Sequence, residues 1–99
     1  MKKLFPTEKE FTDMEFFKSK CSPNEVINIK TNDYIDVIGY FNSDWNWIYH
    51  NLKGPAQIRK IGDKIYEVKY VIHGELLSKE DYDKKIWFIE VNNSIINNI

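Results

Sequence analysis

The sequence predicts an α+β fold: an antiparallel β-meander sheet packed by an N-terminal amphipathic helix and a C-terminal helix. Three observations lead there. A helix cap followed by an apolar stripe stands near the start, at Thr7–Cys21. A second cap stands at Leu77–Tyr82. Between them apolar residues alternate with period two, interrupted by Asn-Asp, Asn-Ser-Asp and Gly-Asp turns. The longest alternation puts Tyr66, Val68, Tyr70 and Ile72 on one side and Glu67 and Lys69 on the other, the mark of a half-buried strand.

Taken in order, Thr7-Glu8-Lys9-Glu10 is a capping box. The Thr7 hydroxyl is placed to accept from the Glu10 amide, and the Glu10 side chain to reach back to the Thr7 amide. Phe11, Met14, Phe17 and Cys21 then fall three to four residues apart, so one helix is expected over about 8–21, with this stripe packed on the sheet. Pro23 stops it. The run 25–30 and the run 34–41 flank Asn32-Asp33 and read as a hairpin, and Gly39 inside the second signals a bulge or a close backbone approach. Residues 45–50 form a third strand in which Trp45, Trp47 and Tyr49 share a face. Gly54-Pro55-Ala56 opens a fourth strand over about 56–61, where Pro55 suits a strand start or a sheet edge. Gly62-Asp63 turns into a fifth strand over 64–73. Ser78, with Leu77 before it and Tyr82 four residues into the helix, caps a helix expected over about 79–90. The run 86–91 fits a buried strand as well as it fits helix, but no turn residue separates it from Lys85. Asn92 to Ile99 is expected to be a loosely docked tail.

Ninety-nine residues suit one small domain whose core buries about two-thirds of the unfolded chain's surface. Net charge is −1, so no global field draws the chain to nucleic acid or to a membrane surface. The single cysteine, Cys21, excludes an intrachain disulfide and fits a cytoplasmic, reducing setting as a small core residue. No apolar run approaches the ~18 residues of a membrane span. Thirteen lysines against one arginine, with 14 isoleucines and 10 asparagines, favour A/T-rich codons and so a bacterial or phage genome.

The block His50-Asn51-Leu52-Lys53-Gly54-Pro55-Ala56, followed six residues later by Gly62, resembles the His-Arg-x-Asp-Gly-Pro-Ala variant of MORN-like repeats in bacterial and phage proteins. Tyr70-Val71-Ile72-His73-Gly74 is similar to that family's Trp-Tyr-x-Asn-Gly hairpin. Leu77-Ser78-Lys79-Glu80-Asp81-Tyr82 is similar to the Leu-Ser-Glu-Glu-Glu-Phe that follows its last unit. Asn51 and Lys53 replace the family's Arg and Asp, and 64–69 is about four residues longer than the family's spacing. The resemblance covers one incomplete unit, about a third of the chain. It implies β-hairpins used for stacking and protein contact, without catalysis.

No catalytic, cofactor-binding or metal-binding set emerges. His50 and His73 stand 23 residues apart, with no Cys or His at ligand spacing from either. Neither a phosphate-cradling glycine loop nor a Gly-x-Ser-x-Gly elbow occurs. The expected function is therefore non-enzymatic: a protein-binding domain, phage-encoded, that modulates a host protein such as a defence nuclease. Its candidate contact residues are the aromatics Trp45, Trp47 and Tyr49 and an acidic group of Glu75, Glu80, Asp81 and Asp83. The alternatives are a nucleic-acid module that stacks bases on the three aromatics, beside Lys53, Arg59 and Lys60, and a structural subunit that self-associates as a homo-oligomer through an edge strand.

Overall fold

The computed structural model describes the backbone of residues 1–97 and the side chains of residues 1–65 and 67–93. The elements run β1 (Lys2–Leu4), α1 (Glu8–Phe11), α2 (Met14–Lys20), β2 (Ile27–Ile29), β3 (Tyr34–Phe41), β4 (Trp47–Tyr49), β5 (Gln57–Ile61), β6 (Lys64–Ile72), β7 (Glu75–Leu77) and α3 (Lys79–Asn97). The α+β class and the meander are as predicted. Seven strands form one sheet in the order β1-β2-β3-β5-β6-β7, with β4 off this path. The long β3 serves as the spine. Its first half pairs with β5 and its second half with β4, so two short strands lie end to end along one side of it.

Several boundaries differ from expectation, each for a local reason. The N-terminal helix is two helices. Both halves of the Thr7–Glu10 capping box are made, at 3.2 and 3.0 Å. At the next turn, however, Asp13 caps a fresh helix by accepting from the Glu15 amide at 3.1 Å, and Thr12 turns back onto the Lys9 carbonyl. Aspartate competes well for exposed amides and so re-starts a helix where it could have continued one. β1 adds a parallel edge beside β2, and β7 adds a three-residue edge beyond β6; neither was expected. The expected tail is instead helix as far as Asn97, and residues 98–99 lie outside the described chain. β5 is flanked by both β3 and β6, so Pro55 precedes an interior strand and not an edge.

Cross-strand partners share a face. Ile27 pairs with Gly39 and Ile29 with Val37, which gathers Leu4, Ile27, Ile29, Val37 and Phe41 on one face, where Phe17 of α2 and Cys21, which follows the helix, cover them. Phe17 touches Phe41 at 5.2 Å between ring centroids. Cys21 is buried, donates to the Phe17 carbonyl, and has its thiol pKa pushed up by burial, as a core residue should. The stripe is only half docked: Phe11 and Met14 remain 40% and 38% exposed, contrary to the sequence expectation, because the break at Thr12-Asp13 swings α1 off the sheet.

The register from Val37 through Gln57 to Lys69 puts Tyr70 on the opposite face, and there α3 is seated. The anchor is Tyr82, which packs on Tyr70 at 5.0 Å. The Tyr82 hydroxyl donates to the Asn51 carbonyl at 2.7 Å and accepts from the Gly54 amide at 3.0 Å. Replacing Tyr82 with Phe removes both bonds and leaves two backbone groups unpaired. A loss of about 1.5–3 kcal/mol is expected in urea denaturation; a loss under about 0.5 kcal/mol would show that water replaces the hydroxyl at no cost.

Candidate functional site

Of the predicted aromatics, β4 carries Trp47 and Tyr49, which lie against β3. Phe41 pairs with Trp47, and Gly39 with Tyr49, so Trp47 and Tyr49 face the α2 side of the sheet. Ring contacts run in a chain from Phe17 to Phe41 to Trp47 to Tyr49, at 5.2, 5.0 and 5.9 Å. Trp45 lies outside β4, in a loop built on Asn42, whose side chain accepts from the amides of Asp44 and Asn46. Its φ of 62° is left-handed, a costly conformation for Trp that this loop imposes. Trp45 reaches Phe41 at 5.6 Å, with Lys18 over its ring at 5.7 Å. All three aromatics are therefore half-buried against the core, not arrayed as an open platform. Burial also pushes the Tyr49 phenol pKa up.

The wall they build is incompletely covered. Between it and the α1–α2 corner lies an apolar hollow of about 260 Å³, lined chiefly by Phe11, Met14, Val37, Phe41, Trp47 and Tyr49. A wider, more polar cleft of about 760 Å³ adjoins it past Phe11 and Thr12, and Lys30, Asp33 and Tyr34 line its far side. Trp47 carries a buried Nε1–H with no hydrogen-bond partner among the described residues. Buried indole N–H groups usually find an acceptor, and this one is enclosed by the fold, out of contact with solvent in the hollow. Phe11 and Met14, expected in the core, are thus rim residues. The Thr12-Asp13 capping pair was the sequence signal that could have placed them there.

The expected acidic group is largely neutralised. Lys85 holds Glu75 at 3.0 Å, Lys84 holds Glu80 at 3.2 Å, and Lys79 holds Asp83 at 2.6 Å. Asp81 sits in the first turn of α3, where its amide is capped by Ser78 and its charge suits the helix dipole. A different surface of α3 is apolar. Trp87 and Phe88 are 65% and 60% exposed beside Glu80, Asp83 and Lys84.

The two histidines, distant in sequence, meet. Their rings stack with centroids 3.9 Å apart and 21° between planes, and the Tyr40 hydroxyl lies 3.0 Å from His73 Nδ1. His50 Nδ1 accepts from the His73 backbone amide at 2.9 Å. The proton of the neutral His50 ring is then on Nε2, which leaves it no lone pair for a base or a metal in this conformation. Among the described residues no group of three or more His, Cys, Asp or Glu side chains is placed to hold a metal ion, and no helix is long and apolar enough to cross a membrane. The basic residues expected beside the aromatics do not line up with them. Arg59 lies over Tyr34 at 5.7 Å, Lys60 lines the wider cleft, and Lys53 belongs to the 50–56 loop.

No protein-family model, curated protein or solved structure matches the chain.

Proposed function

We propose that this chain is a non-enzymatic protein-interaction domain that seats an apolar side chain of its partner in the hollow beneath the α1–α2 corner. The observation that carries this is the half-exposure of Phe11 and Met14 over an aromatic wall formed by Phe41, Trp47 and Tyr49. Contiguous apolar surface left open in this way is a mark of interaction sites. At about 260 Å³ the hollow lies below the ~300–1,000 Å³ of small-molecule sites. One large side chain suits it better than a cofactor.

The resemblance of the 50–82 segment to MORN-like units, used for protein contact, supports the same reading. The lysine, isoleucine and asparagine bias supports a phage source and a bacterial host protein as partner. A defence nuclease engaged by charge mimicry is the weaker version, because three of the four carboxylates are already paired with lysines. Contact is instead apolar.

Placing a charge at the rim tests it. Met14→Asp alters a side chain that is 38% exposed, so the fold is expected to survive. A bacterial protein captured by the wild-type chain should bind Met14→Asp at least about 30-fold more weakly, as for loss of one hot-spot contact. The same protein should bind Glu80→Gln unchanged. Retention by Met14→Asp would remove the hollow from the interface. Loss with Trp87→Ser instead would move the contact to α3. Salt-sensitive oligonucleotide binding in place of protein capture would favour the nucleic-acid alternative.

A further inference from the structure

We propose that Tyr40, His50 and His73 form an acid-operated clasp that holds β7 and the start of α3 against the body of the sheet and releases them as the pH falls below neutral. The clasp is built on three consecutive residues at the end of β4. The Tyr49 carbonyl accepts from the Gly74 amide at 2.8 Å. His50 Nδ1 accepts from the His73 amide at 2.9 Å. The Asn51 amide donates to the Val71 carbonyl at 3.1 Å, and the Asn51 carbonyl takes the Tyr82 hydroxyl. One short segment thereby fixes the β6–β7 turn and the first turn of α3 together. The turn itself is left-handed at His73 (φ 45°) and Gly74 (φ 80°), a conformation these bonds maintain against its cost at His73.

Of these bonds, the one to His50 depends on a proton. His50 is buried, 7% exposed, and its ring is neutral only while Nδ1 remains an acceptor. Protonation places a hydrogen on Nδ1, directly facing the His73 N–H. An acceptor becomes a donor, the bond is lost, and a charge is left in a poorly solvated site. His73 stacks on the same ring at 3.9 Å, so once both are charged two cations lie face to face.

Nothing nearby offsets this. The titratable groups facing His50 are His73 from the turn and Tyr40 from β3, and a tyrosine is neutral in this range. Among the described residues no carboxylate hydrogen-bonds to either imidazole, and Glu75, two residues past His73, is held by Lys85. Burial pushes the His50 pKa below its usual value, and the charge of His73 pushes it further down. With the folded-state pKa depressed, the unfolded or released form binds more protons. The stabilisation is therefore complete above about pH 6.5 and is lost as the pH falls below that.

Hydrogen exchange followed by mass spectrometry, corrected for the intrinsic pH dependence of exchange, tests the clasp on the full chain. Between pH 7.5 and pH 5.0, amides of residues 74–85 should lose protection by at least about tenfold while those of β2 and β3 keep theirs. His50→Asn preserves an oxygen acceptor near the position of Nδ1 and cannot be charged, so its protection should not change with pH. His73→Asn, at a position whose left-handed backbone Asn tolerates, removes the facing cation and should shrink the wild-type response. An equal acid response in His50→Asn overturns the proposal, as does a loss spread evenly over β2 and β3, or no loss at all. Should His50→Asn not fold, an undiminished response in His73→Asn overturns it.

Discussion

Gly39→Ala is expected to lower the melting temperature by about 15 °C, a loss of about 3 kcal/mol for a domain of this size. Gly39 faces Tyr49 across the β3–β4 pair, on the side of the sheet that carries the core. A Cβ at this position would collide with the Ile48 carbonyl oxygen and lie 2.9 Å from Trp47 Cζ2. The carbonyl belongs to the backbone of β4 and cannot rotate away as a side chain would. A methyl group at 39 can be admitted only by lifting β4 off β3. That would displace Trp47 and Tyr49 and with them the wall of the hollow. Thermal melting by circular dichroism measures the stability, and the near-ultraviolet signal of the Trp47–Tyr49 cluster should weaken with it. A loss under about 1 kcal/mol would show that β4 yields easily and that the close approach is not a requirement of the fold.

Phe17→Ala is expected to cost about 3–5 kcal/mol, and Phe11→Ala, on the preceding helix, under about 1 kcal/mol. The contrast follows from position. Phe17 is 4% exposed and its ring meets those of Phe16 and Phe41 at 5.2 Å each, so truncation opens a cavity that rigid strand residues cannot close. Phe11 is 40% exposed over the hollow, so much of its surface already meets water. Helical spacing treats the two alike, and the sequence alone would assign Phe11 the larger cost as well. Urea titrations of both variants with unchanged slopes decide the matter. Comparable losses would mean that α1 packs down on the sheet and that the hollow is filled. The hollow could not then receive a partner.

Elements whose signals lie within a few residues of one another could be read directly from the amino-acid order. Thr7 and Glu10 cap α1 as their spacing required, Ser78 caps α3, and the run 34–41 after the Asn32-Asp33 turn coincides with β3. Gly39 was legible as a bulge or a close backbone approach, because those are what a glycine inside an apolar strand marks, and packing made it the second. Cys21 was legible as core. These features depend on backbone geometry that neighbours in sequence control.

The remaining features depend on strand register and on which groups meet across it, and these arise only from packing. Asp13 could continue one helix or cap another, and the choice set Phe11 and Met14 at the rim of the hollow. Glu75 and Lys85 are ten residues apart and pair only because β7 lies beside α3. Tyr40 and His73, 33 residues apart, and His50 and His73, 23 apart, become neighbours only once β3, β4 and the β6–β7 turn are in place. No spacing rule joins them, because the chain between two strands can vary in length without changing which residues face each other. Periodicity states that a face is apolar; the packing of another element against that face decides how much of it remains open.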